Sequence, residues 1–185
     1  MPYCMQCGHP AEQTIPEGDT RPRLVCPNCH YIHYENPKIV GGCILTHHED
    51  GEDKVLLCRR AIEPRHGYWT LPAGFMEIGE TMQQGAAREC VEEAKASTES
   101  LQLYCLFDVP QIGQVHAIYL GKLAEGNYGV GIESLECALF SESDIPWDAL
   151  AFENGKQALQ YYFADRKTGN FSLHEKTLIR DNPLV

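Results

Sequence analysis

The chain has 185 residues with a 43% hydrophobic content, enough for one full domain and a small appendage. No stretch approaches the ~20 continuous apolar residues of a membrane span. The formal net charge of -11 argues against nucleic acid and anionic lipid as partners, because no run of Lys and Arg makes a locally basic face. The opening Met1-Pro2-Tyr3-Cys4 has neither the basic segment nor the apolar run of a secretory signal. Cys43, Cys58, Cys90, Cys105 and Cys137 each lie inside an apolar segment and read as buried free thiols rather than a disulfide framework. A reducing compartment, the cytoplasm, is the expectation.

Residues 1–36 are rich in Cys, Pro, Gly and His and too poor in aliphatics to build a core alone. Cys4-x-x-Cys7 and Cys26-x-x-Cys29 stand eighteen residues apart. Two residues between thiols let one tight turn present both sulfurs to one ion, and two such turns complete a tetrahedral zinc site. With four protein ligands no position remains open for chemistry, so the zinc is structural and its binding replaces the missing core. His9, His30 and His33 lie nearby but are not needed as ligands. The segment carries Arg21 and Arg23 against Glu12, Glu17, Asp19 and Glu35, a poor balance for tracking phosphates. A packing or dimer-forming role is expected instead.

The second domain spans 37–185. Lys38–Thr46 reads as a strand, Asp50-Gly51 as a turn and Lys54–Arg59 as a second strand, a hairpin with a loop longer than two residues. Trp69–Leu71 is a short extended piece ending at Pro72. Thr81–Ala94 is the strongest helix, with Thr81 and Gln84 placed for a capping box and an apolar stripe of Ala86, Ala87, Cys90, Val91 and Ala94. Strand-like runs follow at Leu101–Val109, Val115–Leu123 and Leu135–Ser141. Glu153–Arg166 reads as a helix with Leu159, Tyr162 and Phe163 on one face, and a short last strand is expected near Phe171–Leu173. This mixed order points to a layered α/β or α+β domain.

Glu89, Glu92 and Glu93 stand at i, i+3 and i+4 of the strongest helix, on one face. Three carboxylates so close raise one another's pKa and stay ionised only beside cations. Arg88 supplies one; magnesium or manganese suits the rest, since both favour oxygen ligands. For three glutamates alone a solvated acidic face is the commoner reading, and the flanking residues decide against it. Gly74, Glu80, Arg88, Glu89, Cys90, Glu92 and Glu93 fall on G-x5-E-x7-R-E-U-x-E-E-x-G-U, where U is bulky and apolar. That pattern, with HGYWTLPAGF before it and SLECALF after it, resembles the Nudix hydrolases over most of residues 37–150. Two positions depart from it: Lys95 stands for the glycine and Ala96 for the last apolar residue. Either Lys95 adopts a left-handed conformation at a cost on the order of 1 kcal/mol, or the helix ends differently.

The resemblance implies an α/β/α sandwich with a mixed sheet. It implies Glu89, Glu92 and Glu93, with the Gly74 carbonyl, as ligands of catalytic magnesium or manganese, and Glu80 and Arg88 as residues that hold the cluster in register. Relatives use a glutamate outside the box as base; Glu136 in SLEC and Glu133 before it are the candidates. The implied reaction is hydrolysis of a diphosphate linkage in a nucleoside diphosphate derivative, giving two monophosphates. The SQPWPFPxS segment that marks the NADH diphosphatase branch is absent. YENPKIVGGCI, LCRRAIEPRHGYWTLPAGFMEIGET and ESLECALF with DIPWDALAF resemble a branch acting on FAD or ADP-ribose. Tyr34, Trp69 and Phe75 are candidates to stack on a base, and Arg59, Arg60 and Arg65 to meet a phosphate. The alternatives are an NADH or NAD-cap diphosphatase and a module that senses nucleotides without cleaving them. A homodimer is the expectation at family level.

Overall fold

The computed structural model describes residues 2–179. The chain divides into two compact units, Met1–Asn36 and Pro37–Val185. The first is a three-stranded antiparallel sheet of β1 (Glu12–Thr14), β2 (Arg23–Val25) and β3 (Ile32–His33). Its buried apolar residues are Cys4, Ala11 and Cys26, with Leu24 and Tyr31 packed against them. The core is thus largely the cysteines themselves.

The second unit is built on an eight-stranded mixed sheet. Its main path runs β10 (Ser134–Phe140), β5 (Glu52–Arg60), β4 (Lys38–Glu49), β9 (Gln114–Leu123), β8 (Thr98–Val109) and β11 (His174–Thr177). Two short strands, β6 (Trp69–Thr70) and β7 (Ala73–Phe75), pair with β5 and β4. The β4–β9 and β8–β11 pairs are parallel and the others antiparallel. Two helices, α1 (Met82–Ala94) and α2 (Glu153–Thr168), cover it.

The period-two alternation of strands explains the sandwich. On β4 and β5, Ile44, Val55 and Leu57 point to one face, where Leu159, Tyr162 and Phe163 of α2 pack. Cys43, Leu45, Leu56 and Cys58 point to the other, against Ala86, Cys90 and Ala94 of α1. Both faces are covered, so these central strands are apolar on both sides and read as continuous hydrophobic runs. The α/β/α layering expected from the sequence is what the chain adopts.

Besides β7, which the sequence reading lacked, and β8, which begins at Thr98 rather than Leu101, local details differ from the sequence reading in two places. The β4–β5 strands run up to the turn itself, Glu49 facing Glu52, so the loop is only Asp50-Gly51. Both residues have positive φ, 55° and 83°, which makes the tight turn whose twist matches a hairpin. The polar residues His47–Glu49 and Glu52–Asp53, which read as loop, are the end of the hairpin beyond the core. The last strand forms at His174–Thr177 rather than at Phe171–Leu173. Phe171 instead packs against the rings of Tyr104 and Tyr162, with centroids 6.3 and 6.1 Å apart, and so belongs to the core beneath α2. Among the described residues, no helix is long and apolar enough to cross a membrane.

Candidate active site

The helix that carries the carboxylates is held at both ends. At its start, the Thr81 side chain accepts from the Gln84 N–H at 3.2 Å while the Gln84 side chain accepts from the Thr81 N–H at 2.8 Å, a reciprocal capping box. At its end, Lys95 is left-handed with φ 51°; its N–H donates to the Val91 carbonyl and the Ala96 N–H to the Cys90 carbonyl. Two further carbonyls at this end are met from outside the helix: Gly129 donates to Ala94 and Gly131 to Glu93, at 2.6 and 3.0 Å. The missing glycine therefore leaves the exit geometry intact, with a Lys where a glycine would be unstrained.

Arg88 organises the acids. Its five N–H groups are all used: Nε and Nη2 donate to the two oxygens of Glu80 at 3.1 and 2.9 Å, and Nη2 also to the Phe75 carbonyl at 2.9 Å. Nη1 donates to Glu89 Oε1 at 2.7 Å and Glu92 Oε2 at 3.0 Å. Glu80 in turn accepts from the Glu77 N–H at 2.7 Å, tying the loop before the helix to the same guanidinium. The Arg88 hydrogen bonds, then this backbone donor, hold the Glu80 carboxyl below the usual carboxylate range.

Glu89 and Glu93 are buried, while the Glu92 side chain is 57% exposed. Burial pushes the Glu89 carboxyl up against the opposing pull of Arg88, with the charges of Glu92 and Glu133 adding to the rise. Burial pushes Glu93 further, to about 8; the Ala73 N–H that donates to its Oε2 at 3.1 Å opposes this, and the Glu89 and Glu133 charges reinforce it. Arg88, paired with Glu80, Glu89 and Glu92, and the Arg60 charge felt at Glu93 are too little positive charge for this cluster. An all-oxygen donor set short of positive charge fits a hard divalent cation of the magnesium or manganese type. Gly74 lies against one of these carboxylates: a Cβ there would overlap the Glu89 carboxyl group, so a larger residue displaces that carboxyl.

The carboxylates open on a cavity of about 1190 Å³. Gly74, Arg88, Glu89, Glu92 and Glu93 line one side, and Ile112, Trp147, Leu150 and Phe152 give it apolar surface. Glu133 also lines it, whereas Glu136 faces Arg59 across β10–β5 at 3.8 Å and is not among the lining residues. Of the stacking candidates, Phe75 lines the cavity, half exposed. Trp69 is spent in the core, edge-on to Phe140 at 4.9 Å between centroids, and Tyr34 lies in the first unit under Arg23. Arg60 and Arg65 line the cavity; Arg59 donates to the Gly67 carbonyl instead. Sequence reasoning missed Gln114, His116, Trp147 and Phe152. His116 is buried, bonded through Nε2 to Gln114 Oε1 at 2.9 Å and through Nδ1 to Asn154 Nδ2 at 2.8 Å. Trp147 and Phe152 lie in the DIPWDALAF segment that carried part of the resemblance, though neither was singled out, and no spacing rule links Gln114 and His116 at a strand start to the box.

In the first unit, the four cysteine sulfurs lie within 4.8 Å of one another, with Cys4–Cys29 at 3.6 Å and Cys7–Cys26 at 3.5 Å. Tetrahedral thiolate zinc with bonds of about 2.3 Å needs sulfurs about 3.8 Å apart, so the site fits zinc. Each pair sits in the same turn: Gly8 donates to the Cys4 carbonyl and His30 to that of Cys26, both at 2.9 Å, with positive φ at Gly8 and His30.

Two family models match, one described as Nudix N-terminal over residues 2–35 and one as NUDIX domain over residues 38–127. A solved NUDIX hydrolase from Nitrosomonas europaea is 48% identical, covers 97% of this chain and 100% of its own, and superposes with a TM-score of 0.90. An NAD-capped RNA hydrolase NudC from Salmonella heidelberg is 33% identical over 145 residues, 78% of this chain and 53% of the relative. The chain thus spans about half the length of the curated relatives it matches. The NUDIX domain of Shewanella oneidensis NrtR, solved with ADP ribose, is 20% identical with a TM-score of 0.63 over 74% of this chain and 91% of that one, a likeness of fold alone. With a ribbon and a Nudix domain each matched in place, and a relative alike from end to end, the chain belongs to the Nudix hydrolase family.

Proposed function

We propose that the protein hydrolyses the diphosphate linkage of a nucleoside diphosphate derivative, FAD or ADP-ribose, giving two monophosphates. The observation that carries this reading is the set of carboxylates gathered by Arg88 at the wall of a cavity of about 1190 Å³, larger than the roughly 300–1,000 Å³ of most ligand pockets. Glu89, Glu92 and Glu93, with the Gly74 carbonyl, hold magnesium or manganese. When bound, such ions neutralise the diphosphate and lower the pKa of water. Arg88 and Glu80 keep the carboxylates in register. Glu133, which lines the cavity, is better placed than Glu136 to accept a proton from the attacking water. The apolar surface of Ile112, Trp147 and Phe152 suits an adenine or flavin ring.

Hydrolysis of NAD-capped RNA is the second reading, favoured by the name of the 33% identical relative. The net charge of -11 and the acidic first unit weigh against an RNA partner. Incubating the protein and magnesium with FAD, ADP-ribose, NADH and NAD-capped RNA, with products identified by mass spectrometry, separates these. FMN plus AMP, or ribose phosphate plus AMP, supports the first reading; preference for capped RNA supports the second. Binding without any product contradicts both and leaves a nucleotide sensor. Zinc in the ribbon, a homodimer and a cytoplasmic location are part of the same proposal.

A further inference from the structure

One cation in the cleft is unlike the rest. Arg60, at the end of β5, is only 9% exposed yet lines the cavity. Its Nε donates to the Pro64 carbonyl at 2.9 Å, and its guanidinium lies over the Phe152 ring, 5.1 Å from the centroid. Among the described residues, its Nη groups have no protein acceptor. They are not sealed in either, since the fully enclosed polar side-chain atom without a partner among those residues is Ser134 Oγ. A buried guanidinium with open donors is costly unless an acceptor arrives. Arg88, by contrast, has every donor committed to the acids and the Phe75 carbonyl.

Phe152, under Arg60, is the N-cap of the sixteen-residue α2, and it offers no side-chain cap. The first-turn N–H groups of α2 are thus without a side-chain acceptor, and they carry the positive end of the helix dipole. Phe152, Glu153 and Lys156 line the same cavity as Arg60. The Glu63, Glu133 and Glu153 carboxylates share it, so an anion is held only where it meets Arg60 directly.

We infer that Arg60 and the first turn of α2 form a phosphate subsite in the cleft, which binds oxygens of the substrate phosphates. The inference rests on the proposed diphosphatase reading and deepens it. The planar fork of Arg grips two phosphate oxygens at once, which a Lys does not reproduce.

The test is calorimetric binding of AMP and of adenosine to the full, zinc-loaded chain without added magnesium or manganese, for the wild type, Arg60→Lys and Arg60→Gln. The wild type is expected to bind AMP at least tenfold more tightly than adenosine. That ratio falls to near one in Arg60→Gln and several-fold in Arg60→Lys. A wild-type ratio near one, or a ratio unchanged in either variant, overturns the subsite. If Arg60 only props up the loop at residues 61–68, both ligands weaken together and the ratio stays, which also overturns it. Should Arg60→Gln fail to fold, Arg60→Lys decides alone. No turnover is read, so a protein that hydrolyses no dinucleotide yet shows the Arg60-dependent ratio sinks the diphosphatase reading and keeps the subsite.

Discussion

Glu93 is the residue at which function and stability pull hardest against each other. The residue is 5% exposed and its carboxyl is pushed from the ordinary 4.5 to about 8 in the absence of an ion. A folded-state pKa raised in this way contributes stability that is fully present below 4.5 and is lost as pH rises through about 8. At pH 7 the unfolded chain gains by ionising what the folded chain does not. At 1.36 kcal/mol per unit of pKa, this costs the metal-free fold on the order of 3 kcal/mol. Glu93→Gln removes the charge while keeping an oxygen for the Ala73 N–H. The variant is therefore expected to be more stable than the wild type by about 3 kcal/mol at pH 7, with the gap closing toward pH 5. Urea titration without added magnesium or manganese, followed by the fluorescence of Trp69 and Trp147, measures this, since both lie in the second unit. Added manganese then stabilises the wild type and not the variant, because an ion that binds only the folded state shifts the equilibrium. A variant no more stable than the wild type at pH 7, or a gap independent of pH, refutes the reasoning.

Glu92→Gln and Glu93→Gln are each expected to lower turnover by orders of magnitude with the fold intact; near-normal rates in either undo that ligand assignment. Gly74→Ala forces the Glu89 carboxyl aside and should cost on the order of 100-fold in turnover, in line with a 1 Å misplacement of a reacting group. Lys95→Gly relieves the left-handed strain at φ 51° and should stabilise the second unit by about 1 kcal/mol, read by the same urea titration; a loss of stability would show that Lys95 is not strained. Cys26→Ser should release zinc, measured by mass spectrometry of metals, and expose residues 1–36 to protease, because Cys26 is both ligand and core there.

The sequence made the catalytic helix legible because its constraints are local. The capping box at Thr81 and Gln84, the spacing of Glu89, Glu92 and Glu93, and the Arg88–Glu92 pair all lie within a few turns of one element. The two sandwich faces were legible too, since alternation along β4 and β5 is a property of each strand. The far side of the cleft was not. Phe152, Trp147 and His116 reach it only through the crossover that sets β9 parallel to β4 and the fold that brings α2 over the sheet. Glu133 and Glu136 differ by three positions, but Glu133 precedes β10 and lines the cavity, whereas Glu136 lies within the strand opposite Arg59 and does not. The tight Asp50-Gly51 turn was misjudged because polarity was read as loop, when it marked the solvated end of a hairpin.

The central claim is that α1 holds divalent ions beside a diphosphate. Manganese anomalous diffraction from crystals soaked with manganese and a methylene-bridged ADP-ribose analogue tests it most directly. The account predicts peaks between Glu89, Glu92 and Glu93 and the bridging phosphates. Manganese bound elsewhere, or an analogue whose phosphates lie away from these carboxylates, would contradict it.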